Sequence, residues 1–230
     1  MTETDPFEAY SALLRERPAL AENPEGGILV VAERAEAARI ERVMADRFAA
    51  QGLPREWARA GLMYQDPHIM LLRDAVIFPD GNPGLYHRII ARNEEPTGVA
   101  VLARYRGRFV LIRHFRHPSR RWHLEIPRGA VGADEDPAHV AQLEISEEIG
   151  GTIGPVMHLG RLHGATALMR HSVVLVYGEL EAIGTPALGE GIAEILLVTP
   201  VELEGMVRNG AITDAFSVAA VYHARLKGLF

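Results

Sequence analysis

Gly129–Gly150, GAVGADEDPAHVAQLEISEEIG, is the stretch on which the reading of this chain turns. It opens with a glycine loop and closes with three glutamates. Asp136 followed by Pro137 predicts a helix start, with Asp as N-cap and Pro at the first helical position, where its missing N–H costs nothing. Gly150-Gly151 predicts the stop, because glycine tolerates the left-handed conformation that ends many helices. Between them Ala138, Ala141, Ile145 and Ile149 form one apolar stripe at helical spacing. Glu144, Glu147 and Glu148 are spaced i, i+3, i+4 and share another face. That face lies in the last turns, where the macrodipole is negative and each carboxylate is disfavoured by ~0.3–1 kcal/mol. The helix holds no Lys or Arg to compensate. Such a cluster is either a solvated acidic face or a site for a hard divalent cation, which takes carboxylate oxygens.

The register resembles the Nudix box, G-x5-E-x7-R-E-U-x-E-E-x-G-U with U a bulky apolar residue. Gly129, Glu135, Glu144, Ile145, Glu147, Glu148 and Gly150 stand at matching positions. Leu143 stands where the arginine is expected, and Gly151 where the last apolar residue is expected. The preceding segment, FRHPSRRWHLEIPRG, is similar to the one before the box in the ADP-ribose pyrophosphatase branch. The resemblance runs from about Pro67 to the C-terminus. It implies an α/β (α+β) Nudix fold, a mixed sheet sandwiched between helices, as a domain over 63–230 behind an N-terminal α/β extension over 1–62. That extension carries no chemistry legible in its residues and reads as packing or a dimer surface.

The resemblance also implies roles. Glu144, Glu147 and Glu148, with the backbone carbonyl of Arg128, are the expected ligands of Mg²⁺ or Mn²⁺. Glu147 serves an additional cation and counts among the catalytic groups. The general base resembles a glutamate on a loop well after the box. LGEGIAEILLVTP offers Glu190 and Glu194, and Glu190 is preferred because Glu194 reads as the start of a strand. Arg113, His114, Arg116, His117, Arg120, Arg121 and His123 form a basic cluster in a chain of net charge −6, suited to attract phosphates. Arg116, Glu125 and Arg128 are the expected substrate-binding residues. His114 stands where relatives often have Gln, and Arg128 where they have Ala.

Two departures bear on function. The usual box arginine holds a box glutamate in place, and Leu143 cannot; groups that hold a ligand in this way matter about 10–100-fold at metal sites. After the box, LHGATALMR lacks the serine–proline–glycine and acidic residues common in the ADP-ribose branch. Two functions therefore stay open. One is a metal-dependent hydrolase of a nucleoside diphosphate linked to another group, ADP-ribose or a nucleotide sugar. The other is a catalytically weak Nudix domain that binds a nucleotide as a sensor.

Composition narrows the class. The 230 residues, 48% hydrophobic and 23% charged, are those of an ordinary globular protein. The acidic balance gives no footprint for nucleic-acid binding. With no cysteine there is no disulfide or thiolate chemistry. MTETDPFEAY carries no secretory pattern, and no apolar run is long enough to span a bilayer. The expectation is a cytoplasmic protein that touches neither nucleic acid nor membrane; the family resemblance implies in addition a nucleotide ligand and a homodimer.

Along the rest of the chain, helices are expected from Asp5-Pro6 to about Arg17 and over 33–50. IMLLRDAVIF and LYHRII read as paired strands around PDGNPG. GVAVLARY and RFVLIRHF read as a hairpin around Arg106-Gly107. Strands are expected in TIGPVMHLGRLHG, HSVVLVYGELEAI and EILLV. A capping box at Thr199–Glu202 opens one helix, and a last helix starts near Asp214.

Overall fold

The structure is a computed structural model that describes residues 5–92, 97–131 and 136–230. The chain divides into two compact units: Met1–Asn93 with Ala165–Arg170, and Glu94–Gly164 with His171–Phe230.

In the first unit α1 (Pro6–Glu16) starts as expected, with the Asp5 side chain accepting from the Phe7 N–H at 3.0 Å. A short strand β1 (Leu29–Val30) precedes α2 (Arg34–Ala50), whose N-cap is Glu33. β2 (Gly61–Gln65), β3 (Ile69–Ile77) and β4 (Pro83–Ala91) follow. β3 is the hub, pairing antiparallel with β1, β2 and β4. Gly61 opens β2 at φ +134°, and a Cβ there would lie 2.5 Å from the Pro6 carbonyl, so only glycine lets the start of α1 lie this close. The core joins Phe7, Tyr10, Leu13 and Leu14 of α1 to Ile40, Met70, Leu72 and Ile90. One charge is buried within it and is fully paired. Asp74 accepts from the Tyr10 hydroxyl at 2.5 Å and from Arg88 at 2.5 and 2.8 Å, while Arg88 also donates to the Leu20 carbonyl. Burial, then the Asp74 charge, pushes the Tyr10 hydroxyl well above its ordinary range. Residues 165–170 join this unit through the Leu168 carbonyl, which accepts from the Ile89 N–H at 2.8 Å.

The division at Asn93/Glu94 falls well after the 62/63 boundary read from the sequence. The reason is pairing: β3 bonds to β1, β2 and β4, and the inner faces of β3 and β4 fill the core under α1 and α2.

The second unit is a mixed sheet. β5 (Thr97–Tyr105), β6 (Arg108–Arg116), β7 (Arg121–Glu125) and β8 (Arg128–Val131) precede α3 (Pro137–Ile149). β9 (Thr152–Leu162), β10 (Val173–Ala182), β11 (Ile192–Val198), α4 (Pro200–Arg208) and α5 (Ala215–Leu226) follow. The order is β11-β6-β5-β10-β9, with β7 beside β6 and β8 beside β5. β5 and β10 run parallel at its centre. Val99 through Ala103 are fully buried, as expected of a strand covered on both faces. Val99, Val101 and Val176 meet Val140, Ala141, Ile145 and Ile149 of α3. Leu102, Phe109 and Leu175 meet Leu203 of α4 and Ala220, Val221 and Ala224 of α5. Each fully buried Val, Leu or Ile contributes ~1.5–3 kcal/mol. The expected β5–β6 hairpin is real at its tip, with Arg106 and Gly107 both at positive φ. It then splays, and β8 and β7 take over the freed edges. Among the described residues no helix is long and apolar enough to cross a membrane.

Candidate active site

α3 has the boundaries its caps predict: Asp136 accepts from the Ala138 N–H at 3.1 Å, and Gly150 ends the helix at φ 59°. Its buried side is broader than the apolar stripe. Val140, Ala141, Ile145 and Ile149 are buried, and so are two of the glutamates, with Glu144 8% and Glu148 2% exposed. The i, i+4 spacing aims this pair at β8, while Glu147 is exposed. Glu135, the remaining box glutamate, lies outside the described residues.

β8 is shaped to receive the pair. The Arg128 N–H donates to Glu148 Oε2 at 2.9 Å. A Cβ on Gly129 would overlap the Glu144 carboxylate, so the box glycine is what lets that group sit against the backbone. Burial, then the charges of Glu147 and Glu190, raises the Glu144 carboxyl from 4.5 to about 7. Burial raises Glu148 further, to about 8, against the lowering effect of the Arg128 N–H; Glu144 and Glu190 add to the rise. Two acids forced toward neutrality by burial and by neighbouring carboxylates are short of positive charge. That donor set of oxygens fits a hard divalent cation. No group of three or more His, Cys, Asp or Glu side chains poised for a metal occurs among the described residues. The fit therefore rests on two side chains, backbone from β8, and the charge deficit.

Glu190 is the exposed last residue of a short 3₁₀ turn, Leu188–Glu190, before Gly191 at φ 82°. Its charge reaches both Glu144 and Glu148. Glu194 sits inside β11, opposite Arg113, and is not among the charges that raise the pair.

Arg116, Glu125 and Arg128 come together, but facing one another. Glu125 is fully buried and accepts from Arg116 Nε and Nη2, both at 2.9 Å, and from Arg128 Nε at 3.1 Å, with Arg128 Nη2 ion-paired to it at 3.0 Å. The sequence reading has Glu125 touching substrate; with both oxygens occupied inside the protein, it has no open face. Arg128 Nη2 also reaches Asp214 Oδ1 at 3.4 Å, and the guanidinium lies over the Phe216 ring. Asp214 caps α5, accepting from the Ser217 N–H at 2.9 Å and hydroxyl at 2.7 Å, and Ser217 Oγ in turn accepts from the Ile126 N–H. Sequence reasoning missed Asp214 and Ser217. Asp214 is visible as a helix cap, but nothing local ties it to an arginine 86 positions away. The Arg128 side chain does not replace the missing box arginine; its backbone holds Glu148 instead.

The rest of the basic cluster is largely spent at the surface of the β6–β7 hairpin. Arg113 lies over Trp122 and Arg120 over Phe115, while His123 meets Ser119 and His117 meets Arg120.

With this geometry established, comparison with known proteins gives a consistent picture. A family model described as a NUDIX domain matches residues 94–216. The ADP-ribose pyrophosphatase of Bacillus subtilis (strain 168) is 28% identical over 138 residues, covering 58% of this chain and 75% of that protein. A crystal structure of an ADP compounds hydrolase superposes with a TM-score of 0.64 at 17% identity, over 74% of this chain and 93% of that one. At that identity the likeness carries the fold alone.

Proposed function

Since the chain belongs to the Nudix family, we propose that it is a metal-dependent hydrolase of a nucleoside diphosphate linked to another group. ADP-ribose is the first substrate to test and nucleotide sugars the next. The pyrophosphate is cleaved to a nucleoside monophosphate and a phosphorylated product. The observation that carries this reading is the Glu144–Glu148 pair, buried against Gly129 and Arg128 and driven up to about 7 and 8.

In this reading Glu144, Glu148 and the Arg128 carbonyl hold Mg²⁺ or Mn²⁺, with Glu147 serving a further ion. The bound cation supplies polarisation of phosphoryl oxygens and acidification of water. Glu190, exposed and beside the pair, takes the proton of the attacking water as general base. Arg116 spends Nε and Nη2 on Glu125 and keeps Nη1 for a substrate phosphate oxygen. Glu125 acts through Arg116 and Arg128, fixing both guanidinium groups. The reading includes a cytoplasmic homodimer, which light scattering checks; a monomer at working concentration removes that part.

The test is product release from ADP-ribose, ADP- and GDP-sugars, dinucleoside polyphosphates and nucleoside triphosphates with Mg²⁺ or Mn²⁺. Metal-dependent cleavage is expected, with ADP-ribose or a nucleotide sugar the preferred substrate. One observation favours the second reading, a nucleotide sensor: among the described residues no Lys or Arg side chain bonds to Glu144 or Glu148, and Arg116 acts on Glu148 only through its charge. Nucleotide binding without cleavage anywhere in the panel would establish it.

Gly129→Ala separates the site from the fold. The new Cβ meets the end of the flexible Glu144 side chain rather than packed backbone, so Glu144 swings away at little cost in stability. The Mn²⁺ concentration for half-maximal turnover is expected to rise about 10–100-fold, with the thermal midpoint nearly unchanged. Wild-type metal dependence would show that Glu144 does not need its place against the glycine.

A further inference from the structure

We propose that His114 is a positioning residue: its buried imidazole fixes the Leu188–Gly191 turn and so holds Glu190 beside the Glu144–Glu148 pair. The proposal rests on Glu190 acting as the base. His114 lies near the end of β6, 7% exposed, opposite Ile192 of β11 on one side and His123 of β7 on the other. The turn that carries Glu190 runs directly into Ile192. Its two ends are tied by backbone. The Ala187 N–H donates to the Glu148 carbonyl at 2.9 Å, and the Phe115 N–H donates to the Gly191 carbonyl at 2.9 Å. The three residues between are exposed, and no side chain caps them. The His114 ring stands against Gly191, where the turn ends. Its Cδ2 is 3.9 Å from where a Gly191 Cβ would be, and the Glu190 backbone carbonyl acts on the ring as an acceptor.

The ring's chemistry suits this task. Burial, then the Arg116 charge, holds the imidazole below its ordinary pKa, so it is neutral and has a single N–H. Nδ1 has no partner among the described residues. The proton directed at the Glu190 carbonyl leaves Nδ1 a bare acceptor, which is less costly than an unmatched buried charge. A glutamine here would also offer an N–H on a side chain of similar reach, whereas leucine and asparagine fail, one for lack of a donor and the other for lack of length. A turn held this way keeps the Glu190 carboxylate at one distance from the water it deprotonates.

Hydrogen exchange of the Leu188–Ile192 amides and steady-state kinetics test this together. His114→Leu is expected to speed exchange across the turn tenfold or more and to lower kcat about tenfold, with KM within twofold; His114→Gln restores both. His114→Asn is the second loss variant if the leucine substitution does not fold, with the same expectation. Unchanged exchange in the turn overturns the anchoring role. Faster exchange with an unchanged kcat overturns the link to catalysis and takes Glu190 out of the base role. If the wild type cleaves no nucleotide, the exchange arm still decides whether His114 holds the turn, so the failure of the hydrolase reading stays separate.

Discussion

Glu148→Gln is expected to cut turnover a hundredfold or more and to leave the folded structure intact. The substitution keeps the shape of a side chain that is 2% exposed. It also keeps an oxygen able to accept from the Arg128 N–H, which lies 2.9 Å from Oε2 in the wild type. What it removes is the negative charge. In the metal-free protein that charge is a burden, since burial and the charges of Glu144 and Glu190 already push the carboxyl to about 8. The variant should therefore unfold at the same temperature as the wild type or slightly higher when metal is withheld. In the metal-bound protein the charge is the reason for binding, and several kcal/mol of transition-state stabilisation depend on the cation it holds. Loss of rate with an unchanged or raised thermal midpoint distinguishes a ligand from a structural acid, whose loss would lower both. An undiminished rate on the preferred nucleotide removes Glu148 from the metal set.

The parts of this molecule that are legible in the sequence are those whose causes are local. α3 begins at Asp136-Pro137 and ends at Gly150 because capping acts within one turn. The capping box at Thr199–Glu202 and the positive-φ turn at Arg106-Gly107 are local in the same way. The box glutamates can be placed on a helix, but spacing alone does not show that Glu144 and Glu148 are buried while Glu147 is exposed. That split comes from β8, whose Gly129 and Arg128 backbone receive the pair. β7 and β8 themselves, RWHLE and RGAV, are short and carry no clear alternation. They are strands because β6 and β5 diverge after the hairpin tip and leave unpaired edges. The first unit's extent is hidden for a similar reason. Nothing in composition separates β3 and β4 from the strands after Asn93; the pairing of β3 with β1, β2 and β4 does. Arg128 is visible as a cation beside the metal loop. Its direction, toward Glu125 and Asp214 rather than the box glutamates, is set by a residue at the start of α5.

In the absence of divalent metal, stability is expected to fall as pH rises from about 5 to about 8, the reverse of the usual behaviour of native carboxylates. The sign follows from where each state gives up its protons. Unfolded, Glu144 and Glu148 lose them near the ordinary 4.5; folded, they keep them to about 7 and about 8. Between those limits the folded state binds more protons than the unfolded one, so each step up in pH favours unfolding. One extra bound proton costs the fold about 1.4 kcal/mol for every pH unit climbed, and the two groups are coupled to each other, so the loss is on the order of a few kcal/mol. Mg²⁺ or Mn²⁺ reverses the trend, because the ion binds the charged forms and expels the protons. Its stabilisation should therefore be small near pH 5 and large near pH 8. Thermal unfolding at several pH values, with EDTA or with saturating Mn²⁺, reads both slopes. Glu144→Gln with Glu148→Gln should flatten the EDTA curve and abolish the metal response. An EDTA curve that stays level or rises through this window in the wild type would mean that the pair is not held protonated, and the charge deficit that calls for a cation would go with it.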